Sequence, residues 1–460
     1  MDDSVGRSVS GLARPWLRWT AAARGAADPD ERCDPVRPQR RRRDVRPSWA
    51  AGLTHAVAVD PTSVGNRLYR GHVQSTAACP LRSHPGAIPR TWVGRDLIQT
   101  RLQSLYTNHA PLVGRCDLLI GSTGLGKSAL LEWVSQAAAQ DGRPVVRVTV
   151  SGPTAAAAGL GAAISDAVNR LRAARSIVAK ATQVVRRVPI RITTPWTEYV
   201  ERAESPATSA LAAALLELDT LARELDAPAL LVLDEVHALD ADSAEALVYS
   251  LVRDNESIVQ VIAAGLTSAY DKLVLNTMMT IAPRMFNAIE LDLLEPEDSC
   301  RLLRDTAALA GVTWSNRVVE AAAQAAGGSP YELQTIGEYL WGLHGEAELL
   351  EAIESYAEDR NRNMLRLVGR LPRPAVGLLL SVSNRGPDGV PLLHARGSAA
   401  SDDEFFSSLD TLERVGLVNV DPEQRVRVTA GPEVVAQVLE LRIELEALES
   451  GPDNDRPSSD

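Results

Sequence analysis

The sequence predicts an α/β protein whose core is a parallel sheet covered by helices on both faces, followed by an all-helical segment and a small C-terminal domain. Two observations lead there. Between residues 116 and 294, runs that are nearly all apolar (CDLLI, PVVRVTV, ALLVL, VQVIAAG and NAIELDLL) alternate with longer amphipathic stretches. A strand apolar along its whole length is buried on both faces, and parallel strands joined by covering helices achieve that burial. After Leu294 the strand runs stop and only helical periodicity remains until a short hairpin pattern near residue 420.

Residues 1–88 stand apart. They contain RPQRRRRDVRPSW and CPLRSHPGAIP, with frequent proline and no sustained periodicity, and a disordered leader is expected. A stretch translated upstream of the true start and an arginine arm touching nucleic acid remain open beside it. The first 90 residues carry 15 arginines against 8 acids, so they hold +7 of a chain whose net charge is −11, leaving −18 for the rest. That balance argues against wholesale coating of nucleic acid. The four cysteines, Cys33, Cys79, Cys116 and Cys300, are scattered without a CxxC pair, which suits a reducing compartment and supports neither a disulfide framework nor a zinc site. No window reaches the roughly 18 apolar residues needed to span a bilayer, and the N-terminus has no signal-type apolar core. A cytoplasmic protein with no membrane partner is expected.

From residue 89 the pattern becomes regular. GRDLIQTRLQSLYTN reads as an amphipathic helix, CDLLI as a buried strand, and KSALLEWVSQAAAQ as the helix after it. PVVRVTV is the next strand, followed by alanine-rich helix to about Ala174, and residues 175–204 read as an insertion. A helix (SALAAALLELDTLARELDA), a strand (ALLVL), a helix (DSAEALVYSLVRD), a strand (VQVIAAG), a helix to about Ile281 and a strand (NAIELDLL) complete an α/β core over 89–294. Four helical segments make a second unit over 295–369. The order helix, helix, helix, hairpin over 370–447 fits a winged helix, and 448–460 is a frayed polar tail.

Gly121, Ser122, Thr123, Gly124, Leu125, Gly126, Lys127 and Ser128 spell GSTGLGKS, which matches G-x-x-x-x-G-K-[ST], set between a strand and a helix. The glycines permit positive φ, so successive amides can point inward at an anion, and the helix opening at Lys127, Ser128 and Ala129 adds unpaired N–H groups. Lysine is rare here: Lys127, Lys180 and Lys272 are the only three among 48 basic residues. A mobile ammonium suits the β- and γ-phosphates where a rigid guanidinium fork works differently. Ser128 would supply a hydroxyl to Mg²⁺. An acid at the end of another buried strand, lying beside the first, should complete the site, and ALLVLDEVH supplies Asp234 for Mg²⁺ and Glu235 to polarise the attacking water. One further strand lies between the two motifs in sequence. The pattern predicts a P-loop NTPase core.

TWVGRDLIQTRLQSL resembles the FVGRE opening of AAA+ ATPases related to origin-recognition initiators and of the STAND signalling ATPases. That resemblance implies an adenine pocket lined by Trp92, Val93, Gly94 and Arg95. GGSPYELQ looks like their GxP element, which implies contacts to nucleotide from Gly328, Ser329 and Pro330 in an α-helical lid. It further implies ATP and Mg²⁺ as cofactors and hydrolysis as the activity. Arg284, before NAIELDLL, sits where similar ATPases place an arginine finger for a neighbouring subunit, so a homo-oligomer or another protein partner is implied; a solvated helix-end arginine is the alternative. VQVIAAG should end in a polar sensor of the γ-phosphate, yet Gly265 and Leu266 stand there, and Thr267 or Ser268 comes late, either as sensor or as a helix cap. His237 completes DEVH, a helicase-like box, but without the other motifs of such motors a histidine packed beside the site is expected. DNA as a partner is weakly supported: residues 366–449 hold 9 arginines against 13 acids, and DDEFFSSLDTLERVG carries only Arg414. Arg425 and Arg427 can touch a backbone or face solvent on a strand. Three functions follow: an ATPase switch, a slow or non-hydrolysing nucleotide-gated scaffold, and a DNA-binding initiator or regulator.

Overall fold

Leu81, within the proline-rich stretch that closes the leader, is 2% exposed and sits among helices far along the sequence. The structure, a computed structural model, describes residues 78–107, 116–179, 206–253, 257–275, 282–385, 389–396, 401–429, Val434 and Ala436. Residues 1–77, most of the expected insertion at 175–204 and the tail 448–460 lie outside the described residues. Those described belong to one compact unit, Gly71–Asp460.

Helix α1 (Asp96–Thr107) precedes strand β1 (Cys116–Ile120), followed by α2 (Lys127–Gln140), β2 (Val145–Thr149), α3 (Ala157–Ala179), α4 (Pro206–Leu225), β3 (Ala229–Asp234), α5 (Ala241–Arg253) and β4 (Val259–Gly265). The one-turn α6 (Ser268–Tyr270), a π turn over Asp271–Leu275, α7 (Ala282–Met285) and β5 (Phe286–Glu290) complete the sheet. All its strand pairs are parallel, in the order β2-β3-β4-β1-β5. Alternate side chains cover the two faces: Leu118, Leu231, Leu233 and Ala263 pack with α3, α4 and α5, whereas Leu119, Leu230, Val232 and Ile262 pack with Leu130, Leu131 and Val134 of α2. This double burial explains why the inner strands β1, β3 and β4 lack polar alternation, whereas the edge strands β2 and β5 are only partly buried and carry polar residues such as Arg147 and Asn287.

Three expectations are corrected. The strand bearing Asp234 is not beside β1, because β4 lies between them; the glycine loop and the acid still share one end of the sheet, since all strands run the same way. The helix expected to about Ile281 is broken into a short turn and a π turn, with 276–281 outside the described residues. NAIELDLL is strand only to Glu290. After Leu291 donates its amide to Ile120 O (2.8 Å), the chain leaves the sheet and Leu294 donates to Gly328 O (2.8 Å) instead.

Helices α8 (Pro296–Ala308), α9 (Asn316–Ala326), α10 (Pro330–Leu340) and α11 (Glu346–Val368) form a bundle around Leu303, Val318, Val319, Leu333, Ile336 and Leu340. Local signals set its ends: the Ser315 hydroxyl accepts Val318 N at the start of α9, and Gly327 closes that helix in the left-handed conformation. Leu81 belongs to this core. Arg82 N donates to Gln334 Oε1 (2.8 Å), Ser83 N donates to Glu338 Oε1 (2.8 Å), and the Ser83 hydroxyl donates to Glu338 Oε2 (2.5 Å). The leader boundary at residue 88 is therefore corrected: Leu81 to Ser83 are strapped onto α10, because Leu81 finds apolar cover there that its proline-rich neighbours concealed.

The C-terminal module comprises α12 (Arg373–Ser383), β6 (Val390–Pro391), α13 (Leu392–Arg396), α14 (Asp402–Arg414), β7 (Val418–Val420) and β8 (Arg425–Val428). Its strands form an antiparallel sheet in the order β6-β8-β7, around a core that includes Phe405, Leu409, Leu412 and Leu417. The hairpin is thus joined by a two-residue strand too short to read in sequence.

Candidate functional site

The glycine loop connects β1 to α2 at the carboxyl end of the sheet. Gly121, Gly124 and Gly126 all have positive φ, at 146°, 88° and 91°. Gly124 shows why a side chain fails there: a Cβ would lie 2.9 Å from Ser329 Oγ and 3.4 Å from Tyr331 Cβ. Lys127 is buried, and its ammonium donates to the loop's own carbonyls, Gly121 O (2.6 Å) and Ser122 O (2.7 Å). Burial pushes its pKa down, opposed by the charges of Glu413, Glu235 and Asp234. The lysine therefore lies within electrostatic reach of these acids.

Asp234 is 4% exposed at the end of β3. Its Oδ1 accepts Glu235 N (3.1 Å), and its Oδ2 lies 3.5 Å from the Arg147 guanidinium, which also pairs with Glu132 on α2. Glu235 adopts a left-handed backbone (φ 61°), a conformation costly for a residue with a side chain, directly after the strand. Burial and then Asp234 push its carboxyl above the usual range. His237 is buried, receives a long amide hydrogen bond from Leu266 N at Nδ1 (3.4 Å), and places Nε2 3.5 Å from Glu235. Burial, then Arg414, lowers its pKa to about 3, so it is neutral and packed.

No group of three or more His, Cys, Asp or Glu side chains able to hold a metal exists among the described residues. Mg²⁺ bound with a nucleotide needs few protein donors, because phosphates and water complete its shell. Ser128 at the start of α2 and the carboxyl of Asp234 suit that limited set.

The bundle also reaches the loop. Tyr331 N donates to Gly124 O (3.1 Å), the Ser329 hydroxyl lies 3.4 Å from the same carbonyl, and Pro330 opens α10. Gly328 (φ 78°) passes so near the core chain that a Cβ would stand 2.6 Å from Leu294 O. The expected adenine-side residues divide. Trp92 meets Trp133 edge-on (6.3 Å between ring centroids), whereas Val93 is buried in the bundle core. A Cβ at Gly94 would lie 2.7 Å from Asp298, and Arg95 is turned to Asp292 O. Arg95 and Val93 thus tie the segment to the chain entering the bundle. Arg284 is exposed on α7, which leads into the amino end of β5, and does not join this site in its own chain.

Several participants were not foreseen. Glu413, the penultimate residue of α14, is fully buried. Its carboxylate accepts the Thr267 hydroxyl (Oε1, 2.7 Å) and Thr267 N (Oε2, 3.2 Å), and Oε1 lies 3.1 Å from the Ser122 hydroxyl. Its main-chain carbonyl accepts Thr123 N (3.3 Å). Asn419 of β7 adds Oδ1 2.8 Å from the Ser122 hydroxyl and donates Nδ2 to Asp292 (2.7 Å). Thr267 is thereby engaged by the C-terminal module and makes no side-chain cap to α6. Arg147 and Asn419 carried weak signals, a polar residue within a strand run in each case; Glu413 carried none.

Residues 91–263 match the AAA ATPase domain family. No curated protein sequence matches the chain. The fold is that of P-loop NTPases. The chain is similar to the Walker-type ATPase PABY2304 of Pyrococcus abyssi, with 15% identity and a TM-score of 0.50, covering 78% of this chain and 98% of that one. It also matches the ORC2 protein of Aeropyrum pernix in its ADPNP–ADP complexes (16% identity, TM-score 0.45, 79% and 98% covered). RuvB of Thermotoga maritima, a Holliday junction branch migration motor, matches at 14% identity and a TM-score of 0.38, covering 75% and 95%. The AAA ATPase match spans the glycine loop, Asp234 and Glu235 and ends within β4. No helix among the described residues is long and apolar enough to cross a membrane.

Proposed function

We propose that the chain is an AAA+ ATPase that binds ATP with Mg²⁺ and turns it over slowly, using the bundle as a lid and the C-terminal module, read as a winged helix, to register nucleotide state. One observation carries this reading: a buried lysine in a strand–glycine loop–helix unit lies within electrostatic reach of Asp234 and Glu235 at the same end of the parallel sheet, with Ser329 and Tyr331 of the bundle against the same loop. Amides of Gly124 to Ser128 would hold the phosphates, Lys127 would counter the β- and γ-charges, and Ser128 with Asp234 would hold Mg²⁺, which supplies charge neutralisation at the transferring phosphoryl group. Glu235 would orient water; its raised pKa makes it a better base than an exposed carboxylate. Arg284 is exposed and so can serve a neighbouring subunit.

The slow or non-hydrolysing alternative draws support from Thr267, whose donors are already taken by Glu413. The DNA-reader alternative is disfavoured, because α14 turns Asp410 and Glu413 into the core and carries three acids in its first turn. Calorimetric titration of ATP·Mg into the whole chain and into Lys127→Ala tests the reading. Binding is expected to fall by about 10- to 100-fold in the variant, the worth of a charge-assisted contact; equal affinity would remove the phosphate assignment.

A further inference from the structure

A carboxylate with no exposure, from a residue 291 positions beyond Ser122, lies against both the glycine loop and the residue just past β4. β4 separates β1 from β3, so its end stands between the glycine loop and Asp234. Thr267, just past that end, directs its hydroxyl and amide to the Glu413 carboxylate, and the Ser122 hydroxyl of the loop lies 3.1 Å from the same group. Thr123 N donates to the Glu413 main-chain carbonyl, and the Lys127 ammonium, itself donating to Gly121 O and Ser122 O, adds positive charge nearby. Donors of the loop and of the residue after β4 are thus taken by an anion of the protein's own. Burying a carboxylate costs more than burying a neutral amide of the same shape.

We propose that Glu413 occupies the place of the terminal phosphate, making it the residue by which the site distinguishes a nucleoside triphosphate from a diphosphate. The proposal rests on the nucleotide reading above and specifies its regulation. A diphosphate, anchored by the amides of the helix start, leaves the contacts of Glu413 with Ser122 and Thr267 in place. Where Glu413 is ionised, above a pH of about 7, a triphosphate brings negative charge against a buried negative group, and one of them must leave. Because Glu413 lies in the last turn of α14, its departure also withdraws the carbonyl bonded to Thr123 N and carries the C-terminal module with it. Asn419, which bonds Ser122 and Asp292 without charge, holds the module equally against either nucleotide.

The test measures ADP and ATP affinity, each with Mg²⁺, for the whole chain, Glu413→Gln and Asn419→Ala, with amide hydrogen exchange of the peptides containing Thr123 and Thr267. Glu413→Gln is expected to tighten ATP by about tenfold or more and ADP by less than about threefold, since two like charges at contact repel by several times RT even when partly screened. Asn419→Ala is expected to shift both nucleotides together. ATP, but not ADP, should speed exchange at Thr267 in the whole chain. If Glu413→Gln moves ADP and ATP alike, or ATP leaves exchange at Thr267 unchanged, Glu413 is a structural carboxylate and the proposal is overturned. If neither the whole chain nor Glu413→Gln binds any nucleotide, the nucleotide reading itself falls; binding with an unchanged ATP-to-ADP ratio sinks only the role of Glu413.

Discussion

The Thr267 hydroxyl donates to Glu413 at 2.7 Å, joining the end of a core strand to the end of a helix in the C-terminal module. Through this pair Thr267, one of the two residues weighed as a γ-phosphate sensor or a helix cap, is held by a carboxylate of the protein's own. The electrostatics of the junction then become a property of the contact between domains and respond to pH.

Burial raises the Glu413 carboxyl from its ordinary 4.5 to about 7, against the lowering effect of Thr267, Lys127 and Ser122, while Asp410 adds to the rise. The docked module therefore binds more protons than the released one. This contribution is full below about 4.5 and is lost as pH climbs through about 7. Asp271, raised to about 6, and Asp410, also raised, face the same junction and act in the same sense. His237, lowered to about 3, acts in the opposite sense. Arg414, Lys272, Glu235 and Asp234 supply the surrounding charge. Small-angle scattering should show the whole chain opening between pH of about 5 and about 8, with Glu413→Gln markedly less sensitive. Equal profiles would deny Glu413 its part.

Glu235→Gln keeps the size and the left-handed turn but removes the carboxylate proposed to orient water. ATP affinity is expected within about threefold of the parent, while phosphate release falls by about 10²- to 10⁴-fold, the span typical of general-base loss. A variant with full turnover would exclude Glu235 as the group that orients water.

The stretch from CDLLI to Ser128 and the acid ending ALLVL were legible because each is local: an apolar run, a glycine cluster and a helix start sit within a few residues of one another. The position of β4 between β1 and β3 was not, because strand order depends on pairings between segments far apart in the chain, Cys116 with Val261 for one. Glu413 was illegible for a related reason. In LERVG it looks like any acid on a helix, and only the docking of that helix removes it from water. Leu81 had a faint signal, one leucine among prolines, which composition averaged away.

That strap bears on any shortened form of the chain. Beginning at residue 78 keeps Leu81 and the pairing of Ser83 with Glu338, whereas beginning at 89 opens a cavity beside Gly337, whose Cα faces Leu81. Loss of a buried leucine side chain costs about 2–5 kcal/mol. Thermal unfolding should place the form starting at 89 several degrees below the form starting at 78, and Leu81→Ala should fall with it. Equal melting temperatures would mean that the strap adds nothing to the bundle.

Arg284 is exposed at the amino end of β5, away from the site of its own chain, so it can stabilise a transition state only in a neighbouring subunit. If it does, Arg284→Ala should bind ATP like the parent yet hydrolyse it about 10³-fold more slowly, in the range of an arginine finger supplied in trans. Complementation makes the test specific. Lys127→Ala lacks the lysine proposed to hold phosphate but keeps Arg284, and Arg284→Ala has the reverse. Mixing the two inactive variants should restore part of the turnover, rising with protein concentration, because mixed assemblies regain sites with both groups. A solvated arginine that merely faces a helix end would leave the rate of Arg284→Ala unchanged, and no mixture would exceed its components.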